Sequence, residues 1–244
     1  MSGRELTPDM QPFGTIRAVQ TAGEDGVIFY TSGADLAAQN QAITALHQAL
    51  VAHRPHWLTE LVPSYDSLMV VFDMNEVDYH GVYQFVKQLP ISDTQSKSAS
   101  TLHRLPVWYG APEANDLDLV CDATGLSAVQ VIERHQQSAY TVYAVGFAPG
   151  FAYLGELAAE LAMPRLANPR KAVPKGAVAI ADRQTAVYPD VSPGGWHLLG
   201  LCPVNLYNPG ADKPTLMQAG DQVEFYAISE DEYHAWAQKT RESA

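Results

Sequence analysis

The sequence predicts an α+β chain: a small N-terminal α/β unit followed by a larger unit built mainly from short strands. Three observations carry this. Up to Leu89, apolar β-branched runs alternate with segments of helical period. A polar, Ser-rich stretch bounded by prolines, LPISDTQSKSASTLHRLP, then interrupts the pattern. From Tyr140 to Tyr226 nearly every apolar run is short and lies between Gly and Pro, as in a barrel or sandwich. The boundary is expected near residue 95, giving domains 1–95 and 96–244. A chain of 244 residues can bury one large core or two modest ones.

Taken in order, VIFYT (Val27 to Thr31) reads as a strand, and NQAITALHQALVAH places Ile43, Leu46 and Leu50 at helical spacing. SLMVVF (Ser67 to Phe72) reads as a buried strand. Val77 to Gln88 brings Val82, Phe85, Val86 and the following Leu89 onto one helical face, which makes a β-α-β-α order. Past the linker, Asp116 is placed to cap a short helix that Gly125 ends in the left-handed conformation. Ser127 with Gln130 forms a capping box for a second helix. His135 falls at that helix's C-terminus, where an imidazolium gains from the dipole. YTVYAV, GAVAIA, TAVYP, WHLLG, VNLYN and DQVEFYA read as strands. Ser229 with Glu232 starts a terminal helix near Asp231.

Composition excludes several classes. Hydrophobic residues at 47% and charged residues at 17% argue for a packed globule over a disordered chain. A formal charge of −12 repels nucleic acid and anionic membrane surfaces. The opening MSGRELTPDMQPFG has no apolar signal segment, and no apolar run reaches membrane-spanning length. Cys121 and Cys202 form neither a zinc pattern nor a disulfide framework, and read as free thiols in a reducing cytoplasm. There is no GxxxxGK[ST] loop, no GxSxG elbow and no HExxH helix, and the eight histidines show no ligand spacing. No catalytic nucleophile and no metal site is visible.

Three features of the C-terminal half carry chemistry. In VYAVGFAPGFAYLG, Gly146, Gly150 and Gly155 stand among Phe147, Phe151 and Tyr153, around Pro149. Such glycines serve a bend, a bulge or a close backbone approach, so the rings either fill a barrel corner or floor a pocket for a ligand or partner. Next come Arg165, Arg170, Lys171, Lys175 and Arg183, with Pro164, Pro169 and Pro174 among them. A stiff loop of forked donors suits a carboxylate or phosphate, or an acidic partner. Last, Ser192-Pro193-Gly194-Gly195-Trp196 reads as a tight turn whose amides face an anion, or as a hairpin turn with a packed tryptophan.

GFAPGFAYLG, then PR, NPR and VPKGAVAIA, then QTAVYP and SPGGWHLLG, in this order and spacing, resemble the family of the 5-oxoprolinase B-type subunit. That family includes the first subunit of allophanate hydrolase and a bacterial sporulation-kinase inhibitor. The resemblance is strong from about residue 103 to 233 and weak before it. It implies an α+β fold with a small N-terminal α/β domain of ferredoxin-like type and a C-terminal cyclophilin-like β-barrel. It implies ATP-dependent hydrolysis of 5-oxo-L-proline to L-glutamate in the cytoplasm. ATP would be a cosubstrate of a complex that also contains a second cyclophilin-like protein, the C-type subunit, and a third, the A-type subunit. The chain would be inactive alone.

By the same resemblance, Arg165, Arg170, Gln184, Thr185, Gly194 and Gly195 are expected at the substrate or an anion, with Arg170 the first choice for the anion. Phe147, Pro149, Gly150, Phe151, Tyr153, Tyr188, Pro193 and Trp196 are expected to line a pocket or face the partner. Other readings of the family are a non-catalytic regulator that binds a histidine kinase and a carboxyltransferase-like component of urea or allophanate metabolism. The chain departs from the family pattern at Ala152, usually proline, at Ala177, usually serine, at Ala186, often glycine, and at the charged pair Asp182-Arg183.

Overall fold

The computed structural model describes residues 10–91 and 100–242. The chain forms two compact units, Met1–Ser98 and Ala99–Ala244. The linker boundary expected near residue 95 lies outside the described residues.

The first unit runs β1 (Ile16–Ala22), β2 (Gly26–Thr31), α1 (Leu36–His53), β3 (Leu58–Pro63), β4 (Ser67–Phe72) and α2 (Tyr79–Gln88). Its antiparallel sheet has the order β1-β2-β4-β3. This is the βαββαβ plait with its final strand supplied from the front of the chain. The expected β-α-β-α order therefore omits β1 and β3. Both are edge strands, and their alternation is only partly apolar because one face and one edge meet water. The helices start at Asp35 and Asp78, whose carboxylates accept from Ala38 N and Gly81 N at 2.8 Å each. Ile43, Leu46, Leu50, Val82 and Val86 pack with Val27, Phe29, Leu68 and Val70 into one core.

The second unit begins with β5 (Leu102–Tyr109), α3 (Leu117–Thr124), α4 (Ala128–Gln136), β6 (Tyr140–Val145) and β7 (Ala152–Gly155). It continues with β8 (Arg170–Val173), β9 (Ala177–Ala181), β10 (Gln184–Val187), β11 (Ser192–Gly194), β12 (His197–Leu201), β13 (Gln222–Ala227) and α5 (Glu230–Glu242). A closed barrel runs β10-β7-β6-β13-β5-β12-β9, with β8 and β11 as a separate ribbon. Only the β5–β13 pair in it is parallel. Closure leaves no open sheet edge to cover.

Gly125 ends α3 at φ 73°, and Ser127 with Gln130 makes the capping box of α4, as read from the sequence. Three local expectations are corrected. Asp116 precedes α3 but makes no side-chain cap bond, and Asn115 accepts from Leu117 N at 3.1 Å instead. VNLYN is no strand: it lies between Pro203 and Pro209, which cannot donate to a ladder, and contributes one isolated bridge, Tyr207 with Thr215. Ser192 to Gly194 is a strand paired with β8, not a tight turn, because Pro193 is tolerated in a ribbon where its missing N–H is not required.

Candidate functional site

Strand β9 (AVAIA) is buried along its whole length and separates two apolar clusters. Val178 and Ile180 join the larger cluster, while Ala177, Ala179 and Ala181 join a second with Phe151, Tyr188, Trp196 and Leu198. Small methyl groups on this second face leave room for a layer of rings. Phe151 sits at its centre, with ring centroids 4.8 Å from Tyr153, 5.3 Å from Tyr188, 6.0 Å from Trp196 and 5.2 Å from Phe147, all in edge-to-face contact. Ala177 and Ala186 are both fully buried in this layer.

Burial settles which rings face outward. Phe151, Tyr188 and Trp196 are buried, Tyr153 is half-buried, and Phe147 is 60% exposed. Phe147 also holds φ 71°, a left-handed conformation unfavourable for a bulky side chain. Pro149 and Pro193 lie at the surface. Gly150 and Gly194 serve packing within the chain. A Cβ on Gly150, at φ 83°, would meet Leu206 O at 2.8 Å, and one on Gly194 would collide with the Tyr188 hydroxyl oxygen. Gly195 O accepts from Leu166 N at 2.7 Å. Gly194 therefore lies in the β11 ribbon and not in an open turn.

The cations divide in the same way. Arg170 Nη2 donates to both carboxylate oxygens of Asp116, at 2.6 and 2.7 Å, and its Nη1 donates to Trp196 O at 3.0 Å. Asp116 is buried and also accepts from Leu198 N at 2.7 Å. The expectation that Arg170 offers a free fork to an anion gives way to an internal ion pair joining the start of α3 to β8 and β12. Arg183 pairs with Glu156 at 2.6 Å. Arg165 keeps an exposed head, 5.8 Å from the Trp196 ring centroid and with Nε 3.5 Å from Asp182. Burial raises the phenol pKa values of Tyr153 and Tyr188 while the Arg165 charge opposes it, so both hydroxyls stay protonated at neutral pH. Burial pushes the Cys202 thiol up to about 12, which keeps it inert.

On the other face of β10, Thr185 is fully buried and donates to Ala179 O at 3.1 Å. His135 Nε2 therefore donates to Thr185 Oγ1 at 2.9 Å, and Tyr109 donates to His135 Nδ1 at 2.7 Å. Thr185 thus serves the fold and does not face a ligand. The expected imidazolium at His135 is also corrected, since complete burial lowers its pKa to about 3 and the ring is neutral. The folded pKa lies below the unfolded value of 6.5, so the unfolded state binds more protons between the two. Stability is expected to fall by up to about 1.4 kcal/mol per pH unit as pH drops below 6.5. Urea melts at pH 7 and pH 5 check this. His135→Gln should lose that part of the slope, and parallel curves for the two proteins would contradict it.

Sequence reasoning misses the roles of Asp116 and Tyr109 because their partners lie 54 and 26 residues away, and no local spacing signals such pairs.

Residues 17–217 match the family model for the carboxyltransferase domain, subdomain C and D. The B-type subunit of Bacillus subtilis 5-oxoprolinase is 35% identical over 88% of this chain and 95% of its own length. The chain belongs to this carboxyltransferase family, alongside the B-type subunits of 5-oxoprolinase. Among solved structures, TTHA0988 matches with a TM-score of 0.74 and 35% identity, over 84% of this chain and 40% of that one. The Kluyveromyces lactis urea amidolyase shares the fold at a TM-score of 0.71 and 17% identity, over 89% of this chain and 15% of that enzyme. The stretches that carried the resemblance map, in this chain, to the aromatic layer, its arginines and the β10 hairpin.

Proposed function

We propose that this chain is the B-type subunit of an ATP-dependent 5-oxoprolinase that opens 5-oxo-L-proline to L-glutamate in the cytoplasm. The match to the Bacillus subtilis protein over nearly the full length of both chains carries this reading. It makes the chain one part of a hydrolase complex of 5-oxoprolinase or allophanate type, completed by a second cyclophilin-like subunit and a third protein. Arg165 is the cation best placed for a carboxylate or a developing anion, because its head is exposed beside the aromatic layer and its link to Asp182 is loose and solvated.

ATP would act as cosubstrate of the assembled complex; this chain carries no P-loop, Arg170 and Arg183 are paired with Asp116 and Glu156, and no step through ATP is assigned to these side chains. Among the described residues no group of three His, Cys, Asp or Glu could hold a metal, and no helix is long and apolar enough to cross a membrane.

The test is co-expression with the two companion proteins, followed by assay of ATP-dependent glutamate release. The three-protein complex is expected to turn over 5-oxoproline and the isolated chain to show only background. Full turnover by the chain alone would overturn the shared-site reading.

A further inference from the structure

We propose that His197 is a positioning residue for Arg165: its ring clamps the backbone beside Arg165, so that the guanidinium stands over Trp196 with its donors open to the carboxylate of the substrate. This rests on the reading of Arg165 given above and names the residue through which the fold sets it.

Two short segments are bonded to each other on either side of one ring contact. His197 Nε2 donates to Pro164 O at 3.0 Å, and Leu166 N donates to Gly195 O at 2.7 Å. Arg165 lies between Pro164 and Leu166, and Trp196 lies between Gly195 and His197. The two bonds therefore set Arg165 against Trp196, and its guanidinium carbon stands over that ring, 5.8 Å from the centroid. A third bond holds the segment from another side. Asp182 N donates to Met163 O at 2.7 Å, and the Asp182 carboxylate lies 3.5 Å from Arg165 Nε.

The histidine is itself well anchored. It stands in β12 opposite Ile180 of β9. Trp196 O, just before it, accepts from Arg170 Nη1, and Leu198 N, just after it, donates to Asp116. The internal ion pair thus fixes the backbone on both sides of His197 and limits the directions open to its ring. Pro164 O can only accept, so Nε2 carries the hydrogen. Nδ1 is buried and has no partner. An apolar residue would fill this place without desolvating a ring nitrogen. What the histidine adds is a single donor aimed at the residue before Arg165.

The chemical consequence is preorganisation. A free arginine side chain spreads over many rotamers, and binding must freeze it. Arg165 keeps 59% of its side chain exposed, yet the clamped backbone and the ring leave it few directions. Trp196 takes up the face of the guanidinium, which leaves the N–H edge for a carboxylate. Losing the His197 bond frees the Pro164 side of the clamp. A binding group displaced by about 1 Å can cost on the order of 100-fold in rate.

Two measurements test this. In the full chain labelled with nitrogen-15, the Arg165 Nε–H signal is assigned by its loss in Arg165→Lys. It should lie upfield of the other arginine signals through the Trp196 ring current and move toward them in His197→Leu. His197→Gln should restore it at least in part, because the amide can donate to Pro164 O. Should the leucine variant not fold, His197→Met makes the same comparison. A signal unmoved by loss of the donor would overturn the proposal. In the assembled complex, His197→Leu should lower kcat/KM for 5-oxoproline about 10-fold, chiefly through KM. The same change made in Arg165→Gln should cost less than about 2-fold, because the group it acts through is already gone. Equal losses in both backgrounds mark a merely structural role and overturn it. If the wild-type complex does not act on 5-oxoproline, or Arg165→Gln is as active as wild type, the functional reading fails. The Nε–H signal alone then decides whether His197 positions Arg165.

Discussion

Replacing Arg170 by Ala is expected to lower the stability of the isolated chain by about 2–4 kcal/mol, on the order of 5–12 °C in melting midpoint. The reason is what remains behind. Asp116 is 8% exposed and would keep its bond from Leu198 N but lose the guanidinium that neutralises it. A buried carboxylate stripped of its partner is destabilised far more than the intact pair was stabilising. The figure is set below that for a fully buried pair because the Arg170 side chain is 29% exposed and water can partly replace it. Arg170→Lys should fall between, since an ammonium keeps the charge but cannot bond Asp116 and Trp196 O in the same planar geometry. The double variant Asp116→Asn with Arg170→Met should recover much of the loss. An unchanged midpoint in Arg170→Ala, with activity lost in the assembled complex, would return this arginine to the ligand site.

Replacing Phe147 by Asn is expected to weaken assembly with the proposed second subunit by at least about 30-fold while leaving the isolated chain as stable as before, or more so. A solvent-facing ring on a left-handed backbone is doubly unfavourable in the free chain. Asn tolerates that backbone and is at home in water. The loss to the free chain is the edge contacts with Phe151 and Tyr188. A stabilised chain that no longer holds its companion is the signature of strain retained for binding. Size-exclusion chromatography of the co-expressed proteins, beside melting of the chain alone, reads both quantities. Co-elution of the variant as tightly as wild type would show that Phe147 is not the anchor.

Much of the architecture can be read from the residues because it follows local rules. Capping boxes, the left-handed Gly125 and the central strands β2, β4, β6, β9 and β13 all announce themselves within a few positions. The edge strands β1 and β3 do not, since half-solvated strands carry a diluted apolar pattern. The aromatic layer is visible as composition, but its orientation is not. Nothing in GFAPGFAYLG says that Phe147 points outward while Phe151 becomes the hub, because that depends on the alanines of β9, which follow much later in the chain. The role of Arg170 is hidden for the same reason. A cation in a run without local acids looks free until a carboxylate 54 positions earlier is folded against it. The clamp on Arg165 and the buried, unpaired oxygen of Gln184 belong wholly to three dimensions, since His197 lies 33 positions from Pro164 and an unmet hydrogen bond leaves no trace in a sequence.

The single parallel pair in the barrel, β5 with β13, matches Leu102 to Gln222 and so joins the first and last strands of the domain. A growing chain emerging from the ribosome cannot complete this ring until β13 is free. Until then β5 and β6 wait with exposed backbone edges, open to pairing with neighbouring nascent chains. Loop-closure entropy across so long a span also slows the last step. Synthesis of this protein is thus a race between ring closure and misassociation. Truncation ahead of β13 would remove the closing strand and leave an open sheet in place of a shortened barrel.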